Sequence, residues 1–200
     1  MLDQISSADM TEGASTSYTT DRFGNINSAL ALNGGWTQIP GGVYFDTPSF
    51  TISLWVYPVS AGASARIIDF GSGPGLTGGV DNVAFSLGYS GTLQEPYVYL
   101  NGLNYVATTT LTQNAWQHLA AAYDGNTLTI YNNGVSVMTS SVSYSLPRVT
   151  RTNCYIGKSN WAADGYSWSY FDELRFYNLS LSQAEILLLM NQNGSCKILI

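Results

Sequence analysis

The sequence predicts an all-β fold: a two-sheet antiparallel β-sandwich of jelly-roll type with one short C-terminal helix. Three observations carry this. Short runs of alternating apolar and polar residues recur along the chain, clusters of Gly, Asn and Pro separate nearly all of them, and one segment alone has helical start signals. At 200 residues and 45% hydrophobic composition, the chain suits one domain spanning 1–200, with its core at about 20–190.

The first strand is expected at 28–32, a run of small and apolar residues. The second, FTISLWVYP at 50–58, alternates cleanly: Ile52, Leu54 and Val56 share one face, and Ser53, Trp55 and Tyr57 the other. Strands follow at 66–70, 83–88, 97–100 and 105–109. The next three, 116–123, 127–131 and 135–141, form a meander. Asp124-Gly125-Asn126 closes its first turn, and Asn133-Gly134 supplies the positive φ angles of a type I′ turn at the second. Strands at 154–157 and 170–177 complete the set. The helix starts at Ser182, with Glu185 at capping-box spacing and Ala184, Ile186, Leu187 and Leu188 behind it; Gly194 is the expected stop.

Composition excludes several partners. The net charge is −6, and seven Lys and Arg scattered along the chain cannot neutralise a run of phosphates, so no nucleic-acid partner is expected. No apolar run is long enough to insert in a membrane, and MLDQISSADM lacks the charged-then-apolar pattern of a leader. Charged residues make up 10%, against roughly 25% in an average soluble protein, which is the profile of secreted and surface-displayed β proteins.

Four segments, in order, resemble laminin G-like, concanavalin A-like lectin/glucanase domains. TDRFGNINSALALNGG resembles the family's N-terminal signature and FTISLWVYP its following strand. NAWQHLAAAYDGNTLTIYNNGV resembles the central Trp-x-His hairpin. CYIGKS followed by YFDELRFYNLSLSQAEI resembles the last strand and short helix. The resemblance implies two curved antiparallel sheets, an extracellular or cell-surface setting within a larger protein, and recognition of a glycan or an extracellular protein.

Catalysis is not expected. Retaining glycoside hydrolysis needs two carboxyl groups about 5–5.5 Å apart, yet the four glutamates, Glu12, Glu95, Glu173 and Glu185, are isolated from one another. Asp172 and Glu173 point to opposite faces of a regular strand. The single histidine, His118, alternates into WQHLAAAY as a packing residue, and GSGPGLTGG lacks the lysine and following helix of a phosphate loop.

Calcium is the cofactor that the resemblance implies, held by oxygen ligands at a sandwich rim. Asp3 and Asp172 are candidates to share one site, and Asp81, beside Asn82, offers another. The alternative is that Asp172 caps backbone groups or pairs with Arg175. In a secreted chain Cys154 and Cys196 are expected to form a disulfide tying the tail to the body; two unpaired thiols are the alternative.

The expected ligand platform is SNWAADGYSWSY, where Trp161, Tyr166 and Trp168 surround Asp164, and Asn160 and Asp164 can hydrogen-bond hydroxyls. A second aromatic group is Tyr97, Tyr99 and Tyr105, interleaved with Asn101 and Asn104. Aromatics of either group can equally fill the core. Two functions remain open: a recognition or adhesion module, and a structural domain packed against neighbouring domains or, by self-association, against its own copies.

Overall fold

The computed structural model describes residues 10–61, 64–73, 79, 81–89 and 95–192. Fourteen strands occur among them: β1 (Thr11–Glu12), β2 (Thr16–Thr19), β3 (Ala29–Gly35), β4 (Thr37–Ile39), β5 (Phe50–Ala61), β6 (Arg66–Gly71) and β7 (Val83–Ser86). The second half contributes β8 (Tyr97–Leu100), β9 (Leu103–Val106), β10 (Gln117–Tyr123), β11 (Thr127–Asn132), β12 (Val135–Ser141), β13 (Asn153–Ile156) and β14 (Ser167–Tyr177), followed by helix α1 (Gln183–Met190).

The strands build two antiparallel sheets. The first is ordered β12-β11-β10-β5-β14-β3-β2 and the second β1-β4-β13-β6-β7-β8-β9. β3 and β4, neighbours in the chain, lie in different sheets, and so do β13 and β14. Early strands therefore pair with late ones in both layers, which makes the jelly-roll sandwich predicted above. One hydrophobic core lies between the sheets. Ile52, Leu54 and Val56 of β5 meet Ile68 and Phe70 of β6, Phe85 of β7 and Val98 of β8 there, all buried. Each such side chain contributes about 1.5–3 kcal/mol on leaving water.

The meander forms as its turn residues require. β11 and β12 are joined by Asn133 at φ 49° and Gly134 at φ 75°, the left-handed pair of a type I′ turn. Asp124 Oδ1 accepts the backbone N–H groups of Asn126 and Thr127 and closes the turn before it. The capping box of α1 is present in full: Ser182 accepts from the Glu185 backbone, and the Glu185 side chain accepts from Ser182. The helix stops at Met190 with Asn191 as its cap, earlier than expected, and Gly194 lies outside the described residues. Among the described residues no helix is long and apolar enough to cross a membrane.

Part of the outer face of the first sheet, over Trp55, is covered by the turn at Asp21–Asn25. Asp21 accepts from Phe23 and Asn25 and shapes the Arg-Phe-Gly-Asn turn. That turn sets the Arg22 guanidinium 4.2 Å from the Phe23 ring and 4.7 Å from the Trp55 ring, a cation–π stack over β5.

Candidate functional site

A groove of about 440 Å³ opens on the outer face of the second sheet, lined by Ser64, Arg66, Tyr89, Tyr97, Tyr99, Asn104, Trp161 and Asp164. β6 with the residues before it, β8, β9, Tyr89 beyond β7 and the loop between β13 and β14 build it. β8 alternates, so Val98 and Leu100 enter the core while Tyr97 and Tyr99 face outward. β6 contributes Arg66. The loop between β13 and β14, which carries the chain from one sheet to the other, folds back and lays Trp161 against Tyr99, edge to face at 4.9 Å. Tyr89 packs edge to face on Tyr97 at 5.5 Å and forms the exposed side of the groove.

Beneath the groove is a buried polar cluster centred on Asp69, which no solvent reaches. Its Oδ1 accepts from Asn82 Nδ2 at 2.9 Å and Asn160 Nδ2 at 2.8 Å; its Oδ2 accepts from the Asn160 backbone N–H at 3.0 Å and faces Arg66 Nε at 3.4 Å. Burial pushes the Asp69 pKa upward, and Arg66 and the amide donors oppose it. Arg66 continues outward to the Ser64 carbonyl at 3.0 Å, Ser86 Oγ at 2.9 Å, the Tyr97 hydroxyl, and Asp164 Oδ2 at 2.8 Å. Ser159 donates to the same Asp164 oxygen at 2.7 Å and accepts from the Trp161 backbone, so the loop is pinned on both sides of the tryptophan.

Two glycines make this close approach possible. A Cβ on Gly71 would lie 2.7 Å from Asn160 Nδ2 and 2.8 Å from Asn82 Nδ2, inside the amide cluster. Gly157, at φ 80°, turns the chain out of β13, and a Cβ there would meet Leu32 at 2.3 Å.

The groove joins two aromatic groups that are far apart in sequence, Trp161 with Asp164 and Tyr97 with Tyr99. The other expected ligand residues go elsewhere. Asn160 is fully buried, and its amide holds Asp69 and the Asn153 carbonyl instead of facing the groove. Tyr166 and Trp168 are half exposed but do not line the groove. Trp168 lies on β14 of the other sheet, with its indole packed over Gly34. Arg66, Asp69 and Asn82 were not expected. Their signal was legible: an arginine and an aspartate three apart inside the otherwise apolar run RIIDF, in a chain poor in charge.

Of the described acidic candidates, Asp81 precedes β7 of the second sheet and Asp172 lies in β14 of the first. Asp3 lies outside the described residues. Asp81 accepts from Ser72, and its carbonyl accepts from Arg151 at 2.9 Å. Asp172 is in the other sheet, paired with Arg22 at 2.6 Å, so a guanidinium stands where a cation would bind. Glu173 corrects the regular-strand expectation for Asp172-Glu173. It sits at φ 50° within a bulge of β14, which brings its carboxylate to the same Arg22 at 3.0 Å and to Arg175 at 3.3 Å. Asp172 therefore pairs with Arg22, not Arg175. Among the described residues no group of three or more His, Cys, Asp or Glu could hold a metal.

Cys154 is a free thiol buried in the core, with its Sγ 3.5 Å from the Arg151 carbonyl, in place of the expected disulfide; Cys196 lies outside the described residues. Burial pushes its pKa up to about 12, which keeps the thiol protonated and unreactive. His118 is buried on the outer side of β10, with Nε2 2.9 Å from Ser53 Oγ and its ring edge-to-face with Trp55 at 5.4 Å. Both members of that Ser–His contact are out of reach of solvent.

The sequence profile of the concanavalin A-like lectin/glucanases superfamily matches residues 32–187. Among solved structures, the chain is similar to domain 4 of an extracellular arabinanase from Geobacillus stearothermophilus, in complex with arabinotriose. The TM-score is 0.69 and the identity 21%, over 90% of this chain and 86% of that one. It is similar to the binding domain of Paraclostridial Mosquitocidal Protein 1 at TM-score 0.68 and 16% identity, over 92% of this chain and 47% of that one. The botulinum neurotoxin serotype G binding domain gives TM-score 0.64 and 14% identity, over 93% and 46%. Among curated proteins none matches the chain by sequence.

Proposed function

The chain belongs to the concanavalin A-like lectin/glucanases superfamily, and from that premise we propose that it is a non-catalytic glycan-binding module of a larger protein that works outside the cell. The observation that carries this reading is the 440 Å³ groove, a volume within the range of small-ligand sites, with four aromatic rings and hydroxyl-matching polar groups on its walls. Trp161, Tyr89 and Tyr99 offer apolar ring surface to a sugar, with Tyr97 buried beneath Tyr89. Asn104 and Ser64 both donate and accept, and Asp164 accepts, as sugar hydroxyls require.

The non-catalytic part rests on chemistry. Asp172 and Glu173, the one adjacent acidic pair brought to a shared partner, are held by Arg22 and buried. Binding is proposed to be independent of calcium, because Asp172 already has its cation. The extracellular setting rests on the low charge and on the extracellular arabinanase whose domain shares the fold.

The arabinotriose bound by that domain makes neutral arabino-oligosaccharides the first probe, within a wider glycan array read in calcium and again in chelator. Binding that survives chelator and falls at least ten-fold in Trp161→Ala is the expected result. An unaltered affinity in Trp161→Ala would remove the groove from the function, and loss in chelator would restore calcium to it. A packing role has one observation in its favour: Phe23, Val135, Leu187 and Leu188 are exposed on the side that carries α1. Light scattering at high concentration distinguishes it, since the recognition module is expected to be monomeric.

A further inference from the structure

We infer that the groove selects uncharged glycans and discriminates against those that carry a carboxylate; this rests on the glycan reading above. The argument is the state of its one cation. Of the residues lining the groove, Arg66 alone is positively charged. A guanidinium has five N–H donors in a fixed fork; Arg66 directs Nε at Asp69, its two Nη1 donors at the Ser64 carbonyl, Ser86 and Tyr97, which share them, and an Nη2 donor at Asp164. Its side chain is 4% exposed. At most one Nη2 donor remains on this nearly buried side chain, so the two parallel N–H groups of the bidentate pair by which arginine recognises a carboxylate are not both free.

The group that does face the groove is acidic. Asp164 has a side chain 19% exposed. Its Oδ2 is taken by Arg66 and Ser159, whereas no described residue donates to its Oδ1. That oxygen is an acceptor ready for a sugar hydroxyl. Lys158, the other cation of the loop, is held over the Trp36 and Tyr155 rings at 4.3 and 4.5 Å. A carboxylated sugar entering here would give up its hydration, find no pair of free guanidinium donors, and approach the Asp164 carboxylate. A neutral sugar meets an acceptor, an amide and phenols, each suited to hydroxyl groups.

The test compares matched pairs by calorimetry: lactose with sialyl-lactose, and neutral galacto- and gluco-oligosaccharides with their uronate counterparts, at two salt concentrations. The expected result is binding of neutral members, with their carboxylated partners at least ten-fold weaker and the gap narrowing as salt rises. Asp164→Asn, nearly isosteric, is expected to weaken neutral binding several-fold and to shrink the gap. The pairwise comparison on the unaltered protein stands even if that variant folds poorly. A carboxylated member that binds as tightly as its neutral partner, with Trp161→Ala abolishing both, would overturn the inference and leave the glycan reading intact. Absence of binding by every member and by the arabino-oligosaccharides of the first probe, or binding indifferent to Trp161→Ala, would remove the glycan reading itself and the inference with it.

Discussion

His118 illustrates how burial reassigns a titratable side chain. Its pKa is lowered to about 3, first by burial and then by the positive charges of Arg175 and Arg22, so the ring is neutral at physiological pH. In the unfolded chain the same ring takes a proton near pH 6.5. Between those values the unfolded state binds a proton that the folded state does not, so stability falls as pH falls through this window. Asp172 titrates there with the opposite sign: burial raises its pKa to about 6, and the folded state takes up its proton first. The two contributions offset in the unaltered protein, so the comparison must be with a variant. The advantage of the wild type over His118→Gln in urea unfolding is expected to fall by about 2 kcal/mol between pH 7 and pH 5. Parallel pH profiles for the two proteins would mean that His118 is not buried neutral.

At the scale of elements, the β11–β12 hairpin is fixed locally and then used by its neighbours. Asn133 at the turn accepts the His118 backbone N–H through its side chain at 2.9 Å, and its own N–H returns to the His118 carbonyl at 2.8 Å. Gly134 is in the left-handed region, and a Cβ there would stand 2.4 Å from Leu187 of α1. The turn therefore carries the helix as well as the hairpin. Gly134→Ala is expected to lose about 1–2 kcal/mol from the backbone alone, with a further loss from displacing Leu187. Chemical denaturation reads this, and a change under 0.5 kcal/mol (about the scatter of neutral surface substitutions) would show that the turn adapts.

On the scale of the whole molecule, the sheets share one core, and the groove draws on β6, β8 and the β13–β14 loop. Neither layer buries its apolar face without the other. A single cooperative transition is therefore expected in calorimetry, with calorimetric and van't Hoff enthalpies equal. Two resolved transitions would show that the layers unfold separately.

Periodicity and turn chemistry made most strands legible. The run at 97–100 and the run at 135–141 form strands with those bounds, and the box from Ser182 to Glu185 starts the helix. Three strands were not legible: Thr11–Glu12, Thr16–Thr19 and Thr37–Ile39 are short and polar, and long-range pairing with β4, β3 and β13 is what makes them strands. The same division runs through the site. Residue type marked Trp161, Asp164, Tyr97 and Tyr99 as ligand-facing candidates. It could not separate them from Asn160, Tyr166 and Trp168, because orientation depends on which sheet the loop folds against. Nor could it reveal that Arg66 is engaged by both Asp69 and Asp164. The sequence by itself determined the local elements, since alternation, caps and left-handed turns act over a few residues. Tertiary structure alone decided which aromatic groups meet and which charges neutralise one another, since those contacts join residues up to 151 positions apart.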